Sequence, residues 1–195
     1  TLPAPFSRDY TVTTEIQKGI VALYWPTTDA RDVKVARRLS LLGEVFADRL
    51  RIKVREELGG AYSPGAGSNT SDTYHGYGYM IANITVDPER AAEIADVVIA
   101  IAADLAARGV TEDELNRARL PILTSIRESA RTNPYWIGAV AASAQEFPQR
   151  LDWSRTRTTD FETIPKADVD ALAKAYLGAD RAIRVIVLPA KPGTS

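Results

Sequence analysis

The chain has no cysteine, a single histidine and a single methionine. The missing cysteine rules out disulfides, thiolate nucleophiles and thiolate metal ligands. With His75 as the only histidine, neither His-x-x-Glu-His nor His-Glu-x-x-His can be written from this sequence. Hydrolytic zinc sites assemble several protein side chains, usually two or three histidines, around an open position. Glu56 and Glu57 offer carboxylates, but carboxylates with one imidazole make a poor zinc trap. No metal site is expected within the chain, and His75 reads as a polar residue at a hairpin. An excess of charge is also lacking: 24 Lys and Arg face 25 Asp and Glu, for a net charge of -1. That balance gives no global attraction to nucleic acid or to an anionic membrane. No apolar run approaches the roughly eighteen residues needed to cross a bilayer, and the first residues lack the regions of a signal peptide. No membrane insertion is expected. The chain opens at Thr1 and its methionine is Met80, which fits a processed product, a piece of a longer protein, or loss of an initiator methionine alone.

Serine chemistry fares no better. No Gly-x-Ser-x-Gly elbow occurs, and Gly65-Ala66-Gly67-Ser68 has the wrong order. Neither a lysine nor a strand-to-helix context follows it, so it is not a phosphate loop either. It reads as a place of close backbone approach or a bulge in a strand. Tyr74, Tyr77 and Tyr79, with His75, could form an aromatic strand face, but no basic residue lies between Tyr74 and Asn83 to accompany stacked bases. Sheet packing is the better reading, and no nucleic-acid partner is expected.

What the sequence does hold is 195 residues with 45% hydrophobic and 25% charged side chains, enough for one domain with a sizeable core. The whole of 1–195 reads as one lobe, with 1–11 an extended lead-in and 190–195 a tail. Loose alternation over 12–25 predicts one long strand, or two short ones parted near Lys18-Gly19. From Val33, the residues Val35, Leu39, Leu42, Phe46, Leu50, Val54 and Leu58 recur in steps of three and four, an unbroken helical stripe. Gly59-Gly60 ends it. Segments 61–68 and 74–86 predict two strands joined by a polar turn at 69–72, with Tyr77, Tyr79, Ile81, Asn83 and Thr85 on one face. Asp87-Pro88-Glu89 opens a helix that runs to Arg108-Gly109, and Thr111-Glu112-Asp113-Glu114 is a capping box for the next. Pro121 is expected to kink that helix. After Asn133-Pro134, residues 135–147 predict a short alanine-rich helix, 161–177 a helix with a fresh start at Pro165, and 182–188 a buried closing strand. This order is not strict strand-helix alternation. It predicts an α+β fold, a largely antiparallel sheet with helices packed on one face.

The strongest local signal is Arg55-Glu56-Glu57-Leu58-Gly59-Gly60-Ala61-Tyr62-Ser63, where a helix end, a tight turn and a new strand bring Arg55 and Tyr62 towards one site. On bare chemistry two readings stay open: Arg55 pairs with nearby glutamates while the tyrosine packs under the turn, or both grip another chain's backbone.

The segment resembles the Arg-Glu-x-x-Gly-x-Ala-Tyr-Ser stretch in the C-terminal, non-metal half of the pitrilysin/insulinase family of zinc metallopeptidases. The long Leu- and Arg-rich helix before it, the hairpin after it, Asp87-Pro88-Glu89-Arg90, Val110 to Leu115 and Asn133-Pro134-Tyr135-Trp136 fit the same resemblance. It implies a pitrilysin/LuxS-like lobe that is inactive alone, with zinc held in a missing N-terminal half or a partner subunit. It further implies that Arg55 donates to a substrate carbonyl and that the Tyr62 phenol steadies charge developing during peptide hydrolysis. The expected substrate is a peptide or unfolded polypeptide, and the alternative role is a noncatalytic scaffold or subunit-interface domain. Resemblance to periplasmic members would accord with a bacterial envelope location, for which the sequence carries no address.

Overall fold

The computed structural model describes residues 4–58, 63–142 and 144–190. In chain order the strands are β1 (Ser7–Val12), β2 (Gly19–Pro26), β3 (Gly65–Thr70), β4 (Gly78–Val86) and β5 (Ile183–Pro189). The helices are α1 (Val33–Leu58), α2 (Ala91–Arg108), α3 (Glu112–Ser129), α4 (Gln149–Thr163) and α5 (Lys166–Tyr176), with a π-helical segment over Tyr135–Ala141. The strands form a single sheet in the order β1-β5-β2-β4-β3, antiparallel except for the β1·β5 pair. This is the expected α+β architecture.

Alternation decides which face the helices cover. Val21, Leu23 and Trp25 of β2 and Met80, Ala82, Ile84 and Val86 of β4 are buried, while Ile20, Asn83 and Thr85 between them are exposed. The buried set joins Leu39, Leu42, Phe46, Leu50 and Val54 of α1 and Ile94, Val98, Ile101 and Leu105 of α2 in one core. The helical stripe read from the sequence is therefore the inward face of α1. Trp25 meets Phe46 edge to face at 5.6 Å and donates its indole N–H to the Gly178 carbonyl at 3.2 Å, so its one polar atom is satisfied inside. Beyond its core residues, α1 reaches over the edge strand β3. A Cβ on Gly43 would stand 3.0 Å from the Ser68 nitrogen and 3.1 Å from the Gly67 Cα. The close backbone approach expected at the glycine cluster is thus made by Gly43 of the helix against Gly67.

Several elements differ from the sequence reading. The lead-in contains β1, an edge strand whose six residues are all exposed and show no alternation to read. The turn between β3 and β4 lies after Thr70 and takes in Tyr74 and Tyr77, so the second strand begins at Gly78 rather than Tyr74. The predicted 135–147 helix stops at Ala141, and α4 starts well before residue 161. Among the described residues no helix is long and apolar enough to cross a membrane.

Candidate functional site

The C-terminal part of α1 carries the expected site. Val54 is buried, and Arg55 follows on the helix backbone, next to the core stripe. The Arg55 side chain and Tyr62 lie outside the described residues, as does the Gly59-Gly60 turn. What the structure does define is the frame on both sides: α1 up to Val54, and β3 from Gly65, hydrogen-bonded to β4 with Gly65 opposite Asn83.

That frame is tied down by Arg49. Its guanidinium donates to Glu114 Oε1 at 2.6 Å and Oε2 at 2.9 Å, to Asp104 at 2.9 Å and to the Gly109 carbonyl at 2.8 Å. One side chain thus joins α1 to the end of α2, the connecting turn and the start of α3. The capping box is present as expected: Thr111 Oγ1 accepts from the Glu114 N–H, and the Glu114 carboxylate accepts from the Thr111 N–H at 2.8 Å. The hydrogen bond from Arg49 holds the Glu114 carboxyl at a pKa of about 2, well below the usual glutamate range, with the Thr111 donors adding to it. The sequence reading found the cap but not this second use of Glu114, because nothing local marks Arg49 as its partner. Arg51, one turn before Arg55, pairs with Asp48 on its own helix, and Asp48 also receives Arg117 of α3 at 3.2 Å.

A second ordering device lies at the opposite end of β3. Asp29, 9% exposed at its side chain, accepts the Gly76 N–H at 2.6 Å and the Arg31 N–H at 3.0 Å. These backbone donors lower its pKa. Gly76 has φ +66, and a Cβ on Gly78 would fall 1.9 Å from the Thr28 carbonyl, so glycine is needed both in the turn and at the start of β4. His75 is exposed, with Nδ1 4.0 Å from the Asp29 carboxylate. The tyrosines pack on one another: Tyr74 on Tyr77, Tyr77 on Tyr79 and Tyr79 on Tyr24, all edge to face with centroids 5.6 to 6.2 Å apart. Among the described residues no three His, Cys, Asp or Glu side chains are grouped to hold a metal ion.

The class of protein is defined by these comparisons. Residues 3–121 match the family described as the Peptidase M16 inactive domain, and the chain belongs to that family. The chloroplastic stromal processing peptidase of Oryza sativa subsp. indica is 31% identical over 103 residues, covering 53% of this chain and 8% of that protein. Among solved structures, the peptidase M16 inactive domain from Pseudomonas fluorescens superposes with a TM-score of 0.79 at 18% identity, over 97% of this chain and 45% of that one. The periplasmic protease PqqL from Escherichia coli gives 0.76 at 18% identity, over 96% of this chain and 21% of that one. The chain therefore spans less than a tenth of that curated relative, and the structures share its fold. It is an inactive C-terminal-type domain of a zinc-peptidase family, and the pitrilysin/insulinase resemblance and the fold read from the sequence both hold.

Proposed function

We propose that this lobe supplies the substrate-binding side of a zinc endopeptidase whose metal lies in another lobe, on the same polypeptide or on a partner subunit. The observation that carries the reading is the Arg55 to Ser63 segment at the end of α1, in a chain that belongs to the inactive-domain family. When bound in the metal lobe, zinc supplies an activated water for attack on the peptide carbonyl. Arg55 then donates to a carbonyl of the extended substrate and fixes its register. The Tyr62 hydroxyl donates to the oxygen that gains negative charge, where one such donor is worth about 3 kcal/mol.

Rigidity matters to this role, because a donor misplaced by about 1 Å forfeits much of its effect. Arg49 clamps α1 six residues before Arg55, and Gly43 lets the same helix sit directly on β3. The end of α1 that bears Arg55 is thereby fixed to α2 and α3 by Arg49, and the helix is seated on β3 at Gly43. The substrate is a peptide or unfolded polypeptide, which can present its backbone to both donors.

Mixing this lobe with a metal-bearing lobe of the family, and following cleavage of a quenched fluorescent peptide, tests the reading. Cleavage by the mixture and by neither part alone is expected. Association without cleavage would instead favour a noncatalytic scaffold.

A further inference from the structure

Away from the end of α1, a cleft of about 480 Å³ opens between the first turns of α1, the C-terminal half of α3, the π-helical segment and α4. Its volume lies in the range of small-molecule sites, roughly 300 to 1,000 Å³. Val33, Ala36, Trp153 and Phe161 give it apolar walls. Arg37, Arg150 and Arg157 line it, and among the described residues no Asp or Glu does. One wall is π-helical, a geometry that recurs at functional sites. Arg37 and Arg55 are eighteen residues apart on α1, about 27 Å along the helix axis.

The arginines are not equivalent. Arg37, 8% exposed at its side chain, is engaged by Asp160, by Thr156 Oγ1 and by the Trp153 carbonyl. Arg150 pairs with Asp72 at 2.7 Å. Half-buried Arg157 instead lies over the Tyr135 ring, 5.5 Å from its centroid, and reaches Ser129 Oγ at 3.5 Å, the long limit for a hydrogen bond. No carboxylate pairs with it among the described residues. Burial lowers the pKa of Arg37, Asp160 works against that, and the nearby Arg157 charge adds a smaller lowering, so the two guanidiniums lie close enough to repel. A guanidinium beside an aromatic ring still has N–H donors to offer a planar acceptor, since the ring takes up none of them as a carboxylate would.

We propose that this cleft binds a carboxylate joined to an apolar body, with Arg157 taking the carboxylate and the body lying against Val33, Ala36, Trp153 and Phe161. A bare inorganic anion would use the arginine and leave those walls uncovered. The same chemistry occurs at the C-terminus of a peptide that ends in an apolar residue and in a free small carboxylic acid. Arg–carboxylate pairs are commonly bidentate, so a neutral amide in place of the carboxylate forfeits most of the attraction.

The test is an NMR titration of the full chain with N-acetyl-phenylalanine, with a tetrapeptide ending in phenylalanine, and with the C-terminal amide of each. The free acids are expected to shift resonances of Ser129, Tyr135 and Arg157, and the amides to bind about tenfold or more weakly. Arg157→Met should weaken the acids by a similar factor and leave the amides unchanged, with Arg157→Lys intermediate. A peptide that binds tighter than the acetylated amino acid identifies a peptide C-terminus as the source; equal affinities identify a small acid. Acid and amide binding alike, no shift in the cleft, or full affinity in Arg157→Met would overturn the proposal. If Arg157→Met fails to fold, the acid-amide comparison on the unaltered chain decides by itself.

Discussion

Replacing Arg49 by methionine should be among the most damaging single changes in this lobe. The side chain is 17% exposed and Glu114 is 15% exposed, so the pair is mostly out of water. Breaking a buried ion pair by removing one partner costs about 3–5 kcal/mol, because the other charge is left uncompensated. Here water can reach Asp104, 32% exposed, and part of Glu114, which lowers the expected loss to about 2–3 kcal/mol. For a chain of this size that corresponds to a fall in Tm of about 4–12 °C.

The acid limb gives an independent reading. Glu114 titrates at about 2 in the folded chain, below its ordinary value of 4.5, chiefly because Arg49 donates to it. A depressed carboxyl contributes stability that is fully present above the unfolded pKa and is lost as pH falls through the folded one. Stability should therefore drop between about pH 4.5 and 2, by about 1–2 kcal/mol from this group once partial solvent access is counted. In Arg49→Met that component of the slope should shrink. Urea unfolding followed by circular dichroism, repeated across this pH range, measures both effects. A variant within 0.5 kcal/mol of the parent with an unchanged acid limb would refute the reasoning.

Gly43→Val should destabilise the lobe by about 1–3 kcal/mol, because its side chain must push β3 away from α1, as denaturant midpoints would report. Asp29→Ala removes the acceptor for the Gly76 and Arg31 amides; faster hydrogen exchange at Gly76 is expected, with about 1–3 kcal/mol lost from the hairpin.

How much of this was legible in the sequence varied with how each element is buried. α1 was plain because one of its faces is core, and Leu39 to Val54 repeat at helical spacing. α4 was largely missed because among its residues Phe161 alone is buried, which leaves almost no apolar period to detect. β1 was read as a lead-in because both its faces are exposed, and its place in the sheet depends on pairing with β5 at the far end of the chain. The β3–β4 turn was placed too early because Tyr77 continues the alternation of Tyr79, Ile81 and Asn83, although it lies in the turn and packs between Tyr74 and Tyr79. Of the site, the Arg55 to Ser63 motif was visible through its resemblance alone. The Arg49 clamp and the Arg157 cleft depend on contacts between residues 65 and 28 positions apart, which no local pattern encodes.

The central claim is that Arg55 and Tyr62 act on substrate in a composite site. It is tested most directly by steady-state cleavage kinetics of this lobe assembled with its metal-bearing half, comparing the parent with Tyr62→Phe and Arg55→Ala. The account predicts a fall in kcat/KM of about 10²-fold or more for Tyr62→Phe, carried mainly by kcat, and a marked fall for Arg55→Ala, with the assembly intact. Unchanged kcat/KM in both variants would contradict it.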